Sequence, residues 1–164
     1  MAKKEENKTE TKKAGLFSTY GEFDSVEELN AKAEELKTDK QALHILASEN
    51  GIDVDMIDLY QQGFLPHLVP DVMTAAIGKL EVEVADLSDK NREVGSGIAD
   101  YLKQKSMEDE KIARAVRKKG KSLKTICDEV WKEASKRKKG GCAYIPPFEV
   151  FQLARAYYLK EDKA

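Results

Sequence analysis

The residue types able to do chemistry are sparse and scattered along this chain. Three carboxylates fall close together in DVDMID, as Asp53, Asp55 and Asp58. A calcium loop between two helices needs oxygen ligands at alternate positions, a glycine at the sixth and a Glu at the twelfth. Counted from Asp53, the fifth residue is Ile57 and the sixth is Asp58, so the run reads as a helix start and no metal ligands are expected. Gly95-Ser-Gly97 lacks the third glycine and the preceding strand of a phosphate cradle. His44 and His67 have no neighbouring Cys and no HExxH arrangement, and His44, on a helical stripe, reads as a core or boundary residue. Cys127 and Cys142 are too few for a disulfide framework, and Cys127 sits on an apolar face as a small core residue. With no nucleophile and base in readable register, no catalytic residue and no cofactor is expected, and the chain reads as a non-enzyme.

Charge is the more informative feature. The 164 residues carry a net charge of −2, which conceals two opposed blocks. Residues 18–90 hold 16 Asp and Glu against 5 Lys and Arg, whereas residues 114–139 hold 11 Lys and Arg against 3 Asp and Glu. Lys132, Lys136, Arg137, Lys138 and Lys139 close a helix, where its dipole favours cations. Arg117, Lys118, Lys119, Lys121 and Lys124 surround a glycine turn and have no such cause. A phosphate-bearing partner, including direct contact with nucleic acid, would use this basic segment.

The elements positioning these charges are predicted to be helices throughout, giving an all-α fold of about seven short helices. Residues 1–16, rich in Lys, Glu and Thr, read as a disordered tail. Residues 17–92 read as an acidic helical unit, with Phe17, Tyr20 and Phe23 against the core. Its helices are expected over 25–37 after an Asp24 or Ser25 cap, over 39–50 after Thr38, over 54–62 from Asp53, and over 71–91. Residues 93–164 read as a basic helical module. It holds a helix over 97–119 with a break near Ser106, one capped by Ser122 and closed by Gly140-Gly141, and a last one opened by Pro147 that buries Phe148, Phe151, Ala154 and Tyr158. In the Ser122 helix Leu123, Ile126, Cys127, Val130, Trp131 and Ala134 form one apolar face, with Trp131 buried. No apolar run nears the roughly 20 residues of a bilayer crossing, and the first residues lack the apolar centre of a secretory signal, so no membrane contact and a cytoplasmic location are expected.

Residues 97–162 resemble the PcfK-like proteins of conjugative plasmids and related mobile elements. The likeness is carried by Tyr101-Leu102, Ala113 and Ala115, Lys121-Ser122-Leu123, Cys127, Ala134 to Lys136, Gly141-Cys142, Glu149-Val150-Phe151, Ala154 and Tyr157-Tyr158. The longer layout, GEFDSVEELN followed by ARAVRKKGKSL, is similar to members identified as the ninth type II-A anti-CRISPR family, inhibitors of the RNA-guided DNA endonuclease Cas9. The resemblance implies a phage or mobile-element protein whose partner is Cas9 or the Cas9–guide RNA complex. An acidic surface carrying Glu27, Glu28, Glu34 and Glu35 would enter the basic nucleic-acid channel, or the basic face from Arg117 to Lys124 would grip guide phosphates or an acidic patch on the nuclease. The alternative is a nucleic-acid-binding accessory protein of conjugation or plasmid maintenance.

Overall fold

The protein is described by a computed structural model that covers residues 16–142 and 144–160. These residues form eight helices and no strand: α1 (Val26–Glu35), α2 (Lys40–Glu49), α3 (Asp55–Gln61), α4 (Val72–Asp86), α5 (Asp89–Glu108), α6 (Glu110–Arg117), α7 (Leu123–Lys136) and α8 (Pro147–Leu159). The fold is therefore all-α. No helix among the described residues is long and apolar enough to cross a membrane. Except for Leu16, the predicted tail lies outside the described residues.

Local capping chemistry sets most of the helix starts. Ser25 Oγ accepts from the Glu28 amide at 3.2 Å while the Glu28 carboxylate accepts from the Asp24 amide at 3.0 Å, a reciprocal pair that opens α1. Asp71 accepts from the Thr74 amide at 2.7 Å and Ser122 from the Thr125 amide at 3.2 Å. Pro147 opens α8, where its missing N–H goes unneeded. The cap of α2 is Asp39, accepting from Ala42 at 3.0 Å, and not the predicted Thr38.

Three boundaries differ from the sequence expectation. The predicted helix over 71–91 breaks at Leu87, which turns extended to bury its side chain against Gly95, and Ser88 then begins α5. The break expected near Ser106 falls at Asp109, which ends α5 and caps α6 by accepting from the Lys111 amide at 2.9 Å. Gly140 and Gly141 do not close α7, which ends at Lys136. They form the tight turn of a Lys139–Cys142 bridge, with φ of +59° and +84° that suit glycine.

One hydrophobic cluster runs from Val26 to Tyr158. Its axis is α4, which buries Val72, Ala75, Ala76 and Leu80 and packs most extensively on α6 and α5. Helices α7 and α8 complete that layer against α5. The predicted division at 92/93 lies inside α5. Side chain to backbone bonds tie the first helices to the loop before α4: Asn30 Nδ2 donates to Val69 O at 2.9 Å and Asn30 Oδ1 accepts from Val69 N at 3.0 Å. At the turn after α2 the chain passes so near α4 that Gly51 and Gly78 meet backbone to backbone.

Some side chains lie further out than expected. Phe148 is 64% exposed and His44 is exposed, neither being in the core. Trp131 is half-buried at the edge of α7, where its indole N–H donates to Asn91 Oδ1 at 2.9 Å beneath the Lys90 ammonium. Cys127 is fully buried as predicted, and burial pushes its thiol up to about 11.

Candidate binding surface

The opposed charge blocks meet inside the fold. Lys79 projects from α4 into a fully buried position, where its ammonium donates to Glu22 Oε1 at 2.7 Å and to the Lys118 carbonyl at 2.8 Å. Glu83 lies one turn further along α4 and is 4% exposed. Arg117, at the end of α6, is fully buried; its Nη2 donates to Phe23 O at 3.1 Å and to Asn50 Oδ1 at 3.2 Å. Carboxylates of the arm before α1 hold the loop after α6: Asp24 accepts from the Lys119 amide at 3.0 Å and Glu22 from the Gly120 amide at 3.3 Å. Part of the charge asymmetry thus fastens the arm carrying Phe17, Tyr20 and Phe23 to α4 and α6.

This arrangement corrects two expected contact residues. Arg117 is committed to the interior, and Lys121, 6% exposed, donates to the carbonyls of Tyr157 at 3.0 Å and Lys160 at 3.1 Å at the end of α8. Neither presents a charge to a partner, because a buried cation needs such internal acceptors to offset its lost hydration. Of the other predicted cations, Lys118 is half-buried, while Lys119 and Lys124 are exposed. Lys132, Lys136, Lys138 and Lys139 are also exposed around the end of α7.

The acidic residues fare differently. Glu27, Glu28, Glu34 and Glu35 are all exposed on α1. Their spacing puts two carboxylate pairs two turns apart on one face. Each has a partner within the chain: Glu27 an ion pair with Arg114 at 3.2 Å, Glu28 the Asp24 amide, Glu34 the Tyr60 hydroxyl, and Glu35 the Lys32 ammonium at 2.9 Å. The exposed ion pairs of Glu27 and Glu35 are worth about 0–1 kcal/mol each, so a cationic partner displaces them at little cost, whereas Glu28 and Glu34 can meet one only through the oxygen they leave free of the cap and of Tyr60. Asp53, Asp55 and Asp58 do not converge: Asp53 accepts from the Asp55 amide and Asp58 pairs with Lys40 at 2.8 Å. Among the described residues no group of His, Cys, Asp and Glu is placed to hold a metal ion.

Lys79 and Glu83 were missed by sequence reasoning. Their spacing with Val72, Ala76 and Leu80 along α4 was the available signal, and their charge argued for the surface. Burial lowers the Lys79 ammonium from its ordinary value against the pull of Glu83 and Glu22. Burial likewise pushes the Glu83 carboxyl from 4.5 up to about 7, against the pull of Lys79. A folded-state value above the unfolded one means that the native protein binds this proton more tightly. The stabilisation is complete below about pH 4.5 and is lost as pH rises to about 7. Relative to Glu83→Gln, the wild-type protein should therefore lose up to roughly 3 kcal/mol between pH 4.5 and pH 7. Urea unfolding of both proteins across that range checks this, and parallel curves would contradict it. Compared with known proteins, the chain matches no family model, no curated protein and no solved structure.

Proposed function

We propose that the chain is a binding protein of phage or mobile-element origin that inhibits Cas9, the type II-A RNA-guided DNA endonuclease, by direct contact in the bacterial cytoplasm. The observation that carries this reading is the exposed double pair of carboxylates on α1, Glu27 with Glu28 and Glu34 with Glu35. The nuclease holds its guide–target duplex in a positively charged channel, and a rigid acidic helix is a suitable competitor for that space. Inhibition by occupancy needs no reacting group. The internal partners of these carboxylates orient them, and the ion pairs of Glu27 and Glu35 are weak enough to exchange for the lysines and arginines of a channel wall.

The test is cleavage of target DNA by guide-loaded Cas9. Wild-type protein should block cleavage at about one molecule per complex; Glu27, Glu28, Glu34 and Glu35 together changed to Lys should restore it, and Glu27 and Glu35 alone changed to Lys, which spares the Glu28 cap and the Glu34–Tyr60 bond, should weaken inhibition while leaving the helical content unchanged. Inhibition that survives the fourfold reversal removes the acidic helix from the mechanism. Changing Lys118, Lys119 and Lys124 to Glu should leave inhibition intact.

A second reading, an accessory nucleic-acid-binding protein of conjugation or plasmid maintenance, is favoured by the exposed Lys132, Lys136, Lys138 and Lys139 at the end of α7. Its signature is a shift of bare duplex DNA that weakens steeply with salt while Cas9 cleavage is unaffected.

A further inference from the structure

A groove of about 950 Å³ opens between α1, the 66–70 connection, the start of α4 and the junction of α5 with α6. Its walls combine apolar groups, among them Val26, Val72, Met73, Pro66 and Met107, with five carboxylates. These are Glu27, Glu34, Asp71, Glu108 and Glu110, and the only lysine or arginine among the lining residues is Arg114. Met107 is 60% exposed, a large apolar side chain standing beside charge.

Two further observations point to an occupant. Ser106 lines the groove at 3% exposure, and its Oγ has no hydrogen-bond partner among the described residues. A buried hydroxyl without a partner is costly, but this oxygen is closed to solvent, so it marks unmet polar capacity beneath the groove wall and is not a contact that an occupant reaches directly. Arg114 shows how the groove takes a cation: its guanidinium bridges Glu27 at 3.2 Å and Glu110 at 2.7 Å, joining α1 to α6. Glu34, Asp71 and Glu108 extend the same acidic rim beyond the reach of that one side chain; Glu34 holds the Tyr60 hydroxyl, Asp71 caps α4 through one oxygen, and Glu108 pairs at 3.1 Å with Lys105, a half-exposed cation that an occupant's lysine or arginine would replace.

We infer that this groove is a docking site for a cationic amphipathic segment of a partner protein, with apolar side chains on the Val72–Met107 wall and lysine or arginine on the Glu34–Asp71–Glu108 rim. Charge complementarity selects that occupant over others: an acidic peptide or a nucleic acid would meet five carboxylates, and a purely apolar helix would leave the rim unmatched. The groove shares Glu27 and Glu34 with the face proposed for nuclease contact, but the inference does not rest on that reading, because no nuclease enters its test and the residues it varies, Asp71 and Glu108, lie outside that face.

The probe is a fluorescein-labelled peptide of about four helical turns, roughly 14 residues, with leucine and lysine at helical spacing, alongside its counterpart with glutamate for lysine. Fluorescence anisotropy should show binding of the lysine peptide, weakening by at least about tenfold between about 50 and about 300 mM salt, and no binding of the glutamate peptide. Combining Asp71→Asn, which retains the helix cap, with Glu108→Lys should weaken binding by at least about tenfold. Glu93→Lys, an exposed change on α5 outside the groove, should leave it within about twofold. Amide shifts of the unaltered protein on adding the peptide should concentrate on residues 66–73 and 106–110. Absence of binding, binding of both peptides, equal loss in Glu93→Lys, or shifts centred elsewhere would each overturn the proposal.

Discussion

Replacing Arg117 by alanine should reduce the free energy of unfolding by about 3–5 kcal/mol, the range found when one member of a buried charge set is removed. The guanidinium is fully buried; its Nη2 holds Phe23 O and Asn50 Oδ1, while Nε and Nη1 have no partner among the described residues. Its removal strands both acceptors, leaves Lys79 as the cation facing Glu22 and Glu83, and opens a cavity where the side chain stood. Arg117→Met retains most of the volume and loses the charge and donors, so it should lie between wild type and Arg117→Ala. A small domain typically has 5–15 kcal/mol in total, so the alanine variant should show a clearly lowered urea midpoint. A loss below about 1 kcal/mol for Arg117→Ala would mean that the buried cluster is not holding the arm.

Gly78→Ala should be nearly as damaging, at about 3 kcal/mol, despite the roughly 1 kcal/mol that alanine gains over glycine within a helix. A Cβ at Gly78 would stand 2.3 Å from Asn50 O and 3.0 Å from Gly51 O, and these are backbone atoms that no rotamer change can move aside. Gly51 cannot retreat easily either, because it occupies φ +66° and faces the Gly78 carbonyl. Gly97, inside α5, is the control: a Cβ there meets nothing within 4 Å, so Gly97→Ala should stabilise by about 0.5–1 kcal/mol. Thermal unfolding of the pair should shift in opposite directions, and a shared sign would contradict the close crossing of α2's turn with α4.

What could be read beforehand was what depends on neighbouring residues. Ser25, Asp71, Ser122 and Pro147 announce helix starts because capping needs only a side-chain oxygen or a missing N–H near four free amides. Ser88 and Asp109 carry the same signal, yet each lies within a periodic apolar pattern that continues past it, so the breaks they make were absorbed into longer predicted helices. The all-α class followed from periodicity, which tolerates such errors at boundaries. The exposed carboxylates of α1 were legible for the same reason: they lie opposite the Val26–Leu29–Ala33 stripe.

The buried cluster was not legible, because its partners are far apart along the chain. Arg117 meets the Phe23 carbonyl across 94 residues and Asn50 across 67. An arginine within a basic run is ordinarily a surface residue, and only the folded chain supplies the acceptors that make burial tolerable. Phe148 failed in the opposite sense. It was expected in the core because it opens an apolar run, but α8 turns Ala154 and Tyr158 inward and leaves Phe148 at an outer edge.

The arm that ends at Asp24 finds its amide partners at Lys119 and Gly120, 95 and 98 residues later. At a translation rate of about 5–20 residues per second, its three aromatic rings leave the ribosome roughly 5–20 s before the loop that anchors them has been made. Glu49, which accepts from the Thr19 and Tyr20 amides at 2.8 and 3.3 Å, and Lys32, over the Tyr20 ring, are made early, but Phe17 and Phe23 wait throughout that interval for Arg117. Slowing elongation should therefore prolong the exposure of Phe17 and Phe23 to a co-translational protease.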